Sequence, residues 1–143
     1  MKKQITAVLM IILMATGCSI QPKPIDYGQV GCHYCSMTIV DKQHAAQLIT
    51  KKGKVFNFDA IECMMNQLKD GDITTMALFM VNDFDEPGTL VDGTKATFLI
   101  SENIPSPMGA FLSAFSDEQV AQNSLEANGG ELLTWLELHK QFK

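Results

Sequence analysis

The sequence predicts an α+β domain: mostly antiparallel sheet with helices, arranged as two ββα-type units. Three observations predict it. Runs of β-branched and aromatic residues come in pairs joined by polar turns. Each pair leads into a segment with helix-capping residues and an apolar stripe. A turn-rich stretch from Asn82 to Gly93 then divides the chain, and a similar order of elements begins again.

Thr38-Ile39-Val40 and Ala45 to Thr50 read as strand segments around a turn at Asp41-Lys42-Gln43. Lys51-Lys52-Gly53-Lys54 is a polar turn, and Val55-Phe56-Asn57-Phe58 is the returning strand. Asp59 reads as a helix N-cap, with Glu62 completing a capping box. Ile61, Met64, Met65 and Leu68 form one apolar stripe, and Gly71 closes that helix. Thr75 to Val81 reads as a strand. Lys95 to Ser101 and Ala110 to Phe115 are strands around a loop at Ile104 to Gly109, which Pro105 and Pro107 stiffen. Ser116 with Gln119 reads as a second capping box, ended by Gly129-Gly130. Glu131 to Phe142 reads as a last helix, apolar at Leu132, Trp135, Leu136 and Leu138.

The formal charge is -5 and every basic side chain is Lys, with no Arg. Such a chain lacks both the basic footprint of a nucleic-acid binder and the guanidinium fork common at phosphate sites. No nucleophile-base-orienter set and no glycine-rich phosphate loop is visible. Asp83, Asp85 and Glu86 read as a solvated loop cluster.

The N-terminus reads as a targeting segment. Lys2 and Lys3 precede an apolar run, Ile5 to Met14, that is short for a bilayer span. Ala15-Thr16-Gly17-Cys18 resembles a bacterial lipobox, which implies lipidation at Cys18. Residues 1–17 are then a lipoprotein signal peptide and 18–29 a lipidated tether containing Pro22, Pro24 and Gly28. Residues 30–143 form the domain. Ser19 rather than Asp after the cysteine points to the outer membrane over the inner.

Gly31-Cys32-His33-Tyr34-Cys35-Ser36-Met37 gathers two thiols, an imidazole and a thioether, donors that select Cu(I) and also Zn(II) over hard cations. Three cysteines remain beside Cys18, an odd number, so they cannot all pair within one chain. Either a Cys32–Cys35 disulfide leaves Cys63 free, or some thiols hold metal. A zinc site would draw on Cys32, Cys35, Cys63 and His33 or His44. Met37 lies two residues beyond Cys35, on the same side of an extended segment. Met108 sits on the proline-stiffened loop before Gly109, away from any helix stripe. Met64 and Met65 read as core, and Cys63 as a small buried thiol. His139 in the last helical turn suits the helix C-terminus.

These residues resemble the NosL family of copper-binding lipoproteins. The resemblance rests on the lipobox, Cys32-x-x-Cys35-x-Met37 before a strand, Phe56-x-Phe58-Asp59 before a helix with Cys63-Met64, and Pro107-Met108-Gly109. It implies a ββα-type fold related to organomercurial lyase, and a periplasm-facing Cu(I) chaperone that helps mature nitrous oxide reductase. It implies Cys35, Met37 and Met108 as ligands, with Cys32 as a partner or in a protective disulfide with Cys35. From the residues themselves, one further donor could come from Cys32, His33 or His44. It also implies transient contact with a copper-loading ABC transporter complex. The family usually has Gly where this chain has Ser36. Two other readings stand beside it: a thiol-disulfide oxidoreductase using Cys32 and Cys35, and an adaptor lipoprotein stapled by that disulfide.

Overall fold

A computed structural model describes residues 20–143. The leader at 1–17 and Cys18 lie outside the described residues. The first half opens with a hairpin of β1 (Ala46–Thr50) and β2 (Val55–Phe58), then α1 (Ile61–Asp70). A short 3-10 turn (Ile73–Thr75) leads into β3 (Met76–Asn82), and β4 (Leu90–Asp92) adds an edge. The second half is β5 (Thr97–Ile100), β6 (Leu112–Phe115), α2 (Glu118–Asn128), β7 (Glu131–Leu133) and α3 (Trp135–Gln141). The sheet orders are β2-β1-β3-β4 and β6-β5-β7, and every pairing is antiparallel. The predicted ββα units are thus ββαβ units, each with its first strand in the centre.

Strand β7 corrects the sequence reading. Glu131 to Leu133 continues the apolar spacing of the last helix, yet it pairs with β5 in the register Ile100↔Glu131. The helix starts only at Trp135, where Thr134 and Glu137 make a complete capping box. Gly130 permits this switch. Its φ is +114°, and a Cβ there would run into the Ile100 carbonyl.

Two capping assignments also move. The cap of α1 is Ala60, which makes no side-chain cap, and the cap of α2 is Asp117, which accepts from the Gln119 and Val120 amides. Ser116 instead donates to the Asp83 carboxylate, and its amide does so at 3.2 Å. Asp83 is therefore buried between the halves rather than solvated. Thr38 to Val40 is not a regular strand. Thr38 makes one bridge to Gly31, and Ile39 bonds to Val30.

One core spans both sheets. Leu48, Phe58, Met64, Met65 and Val81 pack in the same cluster as Phe98, Leu112, Leu133 and Leu138. Burying each such side chain contributes roughly 1.5–3 kcal/mol before the entropy of ordering it. β1 is buried on both faces. Its polar Gln47 is satisfied there by the Lys23 amide at 3.0 Å, the Lys23 carbonyl at 2.8 Å and Asn57 Oδ1 at 2.7 Å. Part of the stretch read as tether is thus docked: Ile25 is buried and the Tyr27 hydroxyl accepts from Asn82.

Candidate metal centre

The Cys32–Cys35 segment lies on a tight loop between two short extended stretches. The Cys32 amide donates to the Met37 carbonyl at 2.7 Å, and the Ser36 amide to the Cys32 carbonyl at 3.0 Å. The His33 amide donates to Asn57 on β2 at 2.8 Å, which pins the loop to the sheet. Ser36 takes φ +66°, the left-handed region that glycine enters freely. The loop therefore keeps a glycine-type turn without the glycine.

β2 ends at Phe58, and the next residue, Asp59, faces the loop. Cys63 follows in the first turn of α1. Donor atoms of Cys32, Cys35, Asp59 and Cys63 all lie within 4.8 Å of one another. The Cys35 thiol donates to Asp59 Oδ1 at 3.4 Å. Cys32, Asp59 and Cys63 are buried and Cys35 is half-buried. All three thiols are free.

Electrostatics favour filling this cluster with positive charge. Burial is the first cause raising the Cys35 thiol above its usual range. The Met37 amide opposes it, and Cys32 and Asp59 add to it. Cys63 is pushed far up, by burial first and then by Asp59, Cys32 and Cys35. Each of those neighbours is negative when ionised. Such thiols hold their protons until a cation displaces them. Three sulfurs make the set soft, and the one carboxylate oxygen is a hard addition.

The sequence candidates distribute around this centre. Cys32 and Cys35 are in it. Met37 is 53% exposed and Met108 43% exposed, so both thioethers reach the surface. The Met108 loop is fastened to α1 next to Cys63. Ser106 donates to Glu62 at 2.5 Å, and the Phe111 amide to Ser106 at 2.9 Å. Glu62, read as a capping residue, does this work instead. His33 is not among the converging donors; its ring packs at a tilt against Phe56, 4.4 Å between centroids. His44 is spent elsewhere: Nδ1 meets Asp41 at 3.0 Å and Nε2 meets Ser113 at 3.2 Å. Burial works to raise the Asp41 carboxyl, but His44 and the backbone amides override it and hold it low. Asp41, His44 and Ser113 stand in triad order, which the sequence did not reveal across 69 residues. Ser113 is fully buried in β6, so no substrate can reach its hydroxyl.

Asp59 is the member that sequence reasoning placed elsewhere, as a helix cap; Cys63 stood there as a small buried thiol or as one ligand of a zinc site. The usable signal was the odd thiol count together with the position of Cys63 off the apolar stripe of α1.

Comparison with known proteins gives a consistent picture. The NosL family model matches residues 22–142. A relative from Stutzerimonas stutzeri, named copper-binding lipoprotein NosL, is 28% identical over 115 residues, covering 75% of this chain. The chain spans 60% of the length of that relative. The crystal structure of the copper chaperone NosL from Shewanella denitrificans superposes with a TM-score of 0.74 at 25% identity. That match covers 83% of this chain and 96% of the other.

Proposed function

The chain belongs to the NosL family, and from that premise we propose that it is a lipid-anchored, periplasm-facing Cu(I) metallochaperone. Its cargo would serve assembly of the copper centre of nitrous oxide reductase. The observation that carries the reading is the convergence of Cys32, Cys35, Cys63 and Asp59 within 4.8 Å. Three thiols suit a soft monovalent cation, whose bonds to sulfur must outweigh the cost of displacing their protons. Asp59, a hard donor, serves to orient Cys35 rather than to bind Cu(I) directly. Met37 and Met108 supply exposed thioethers to which the ion can pass on its way out.

The surface around the cluster supports hand-over. Tyr34, Met37, Val40 and Met108 are all large apolar side chains, 43–68% exposed. Exposed apolar side chains of this kind fit transient contact with a loading transporter complex and with the recipient reductase. The anchor would be acylation at Cys18, with the outer membrane favoured over the inner. No helix among the described residues is long and apolar enough to cross a membrane. Weighing against a dithiol oxidoreductase, the Cys32–Cys35 loop does not open a helix, the setting that activates the first thiol of such a pair.

The test is a Cu(I) titration of the reduced chain against a competing chelator, for wild type, Cys35→Ser, Cys63→Ser and Met37→Leu. Tight binding in wild type and its loss in both cysteine variants is expected, with a smaller loss in Met37→Leu. Because Asp59 makes the set acceptable to Zn(II) as well, Zn(II) competition belongs in the same titration. A preference for Zn(II), or binding no tighter than that of a surface thiol, would overturn the copper reading.

A further inference from the structure

We propose that the β1–β2 turn of this domain docks on an anionic lipid surface, holding the thiol cluster on the side away from the bilayer. This rests on the lipid-anchor reading above.

The turn is Lys51-Lys52-Gly53-Lys54, and all three lysines are exposed. Ile20, Gln21 and Lys23 line one cleft with Ile49, Lys51, Lys52 and Gly53. The N-terminal segment therefore leaves the domain at this turn. Cys18 is two residues before Ile20, a reach of at most about 7 Å. A lipid on Cys18 would bring the lysine turn to the headgroups. A second cleft, lined by Thr50, Lys51, Lys52, Lys54, Thr74 and Thr75, continues the same end. The end also holds carboxylates: Asp72 feels Lys51, and Asp70 precedes it. Lys23, Lys51, Lys52 and Lys54 still outnumber them, in a chain whose overall charge is -5. Lys54 leans over the Phe56 ring at 4.7 Å, which leaves Lys23, Lys51 and Lys52 as the lysines facing outward.

An acidic protein tethered to an acidic surface is repelled except where its positive end points down. Each lysine near such a surface favours that orientation by roughly fivefold. The effect fades with salt, since screening acts over about 10 Å at 0.1 M. The length of β2 then sets the height of the cluster. Lys54 precedes the strand and Asp59 succeeds it, so at about 3.3 Å per residue the cluster stands on the order of 15 Å above the turn.

The test uses the mature lipoprotein in vesicles of phosphatidylcholine alone, or mixed with phosphatidylglycerol. A water-soluble amine-acylating reagent reads the reactivity of each lysine by mass spectrometry. Lys51 and Lys52 should be protected several-fold relative to Lys95 and Lys140 on the mixed vesicles, and high salt should abolish the difference. The variant Lys51→Glu/Lys52→Glu, altered only at exposed positions, should lose the protection of Lys23. Equal reactivity on both vesicle types overturns the docking surface. The mass of the mature chain reports separately whether Cys18 is acylated. An unacylated chain that still sediments with mixed but not neutral vesicles keeps the docking surface without the anchor. One that sediments with neither overturns both.

Discussion

In both halves of the molecule a hairpin ends on phenylalanine and a helix begins three residues later. The first reads Phe58-Asp59-Ala60 before Ile61, the second Phe115-Ser116-Asp117 before Glu118. An aspartate stands in each junction, displaced by one residue. Asp117 occupies the cap and accepts two amides of its own helix. Asp59 stands one place earlier, leaves α1 without a side-chain cap and accepts from the Cys35 thiol instead. Three residues into the helix, Cys63 in the first half corresponds to Val120 in the second. One topology therefore serves two ends. A helix start closed on itself stabilises its own half, and a helix start left open turns its first side chains toward a loop. Ala60 is fully buried, so there is no room for a capping carboxylate where the thiol loop covers the helix.

The sharpest way to break this contrast is to make the first half like the second. Cys63→Val removes a sulfur and keeps the volume close. Its Cu(I) affinity should fall by more than about 100-fold, beyond what a supporting residue usually changes, with a small effect on urea unfolding. The second half has its own sensitive point. Gly130→Ala should lower unfolding free energy by about 2–4 kcal/mol, because the Ile100 carbonyl blocks the new Cβ and φ is positive. Copper affinity per folded molecule should be unchanged.

Asp59→Asn sharpens the same comparison at the cluster. Copper affinity should drop by roughly tenfold as Cys35 loses its charged orienting partner. The pH dependence should shift as well. Burial and Asp59 raise the thiols, so apparent Cu(I) affinity rises with pH as fewer protons must be displaced. Without the carboxylate the thiols ionise more readily, and the rise should level off at lower pH; titrations across a pH series check both. The smallest effect concerns the caps. Asp117→Ala should cost about 1 kcal/mol in chemical unfolding. Asp59→Asn should cost the metal-free chain nothing through capping, since Asp59 caps no helix.

Local patterns explain what could be read in advance. The hairpin, the stripe of α1 and the terminator Gly71 arise from alternation, helical spacing and turn chemistry within a few residues. The errors came where a local signal competed with a distant partner. Asp59-x-x-Glu62 has the spacing of a capping box, but the partner of Asp59 lies 24 residues earlier and that of Glu62 lies 44 residues later. Glu131-Leu132-Leu133 fits a helix until β5 supplies an edge. The thiol motif and its soft chemistry were legible in six adjacent positions of the sequence. The depth of the site was not, since Cys63 joins Cys32 and Cys35 only when α1 folds back beneath their loop.

The clamp between Lys23 and Gln47 has a mechanical consequence. A free segment from Cys18 to Gln29 could extend about 40 Å, whereas the stretch before Lys23 extends about 17 Å at most. The leash is short, and it pulls on the central strand of a sheet rather than on a loose end. With the proposed lipid on Cys18, a carrier held this way would patrol a thin layer over the membrane, where its effective concentration for partners in that layer would be high. Partners with donor sites far above that layer would have to bend down to meet it.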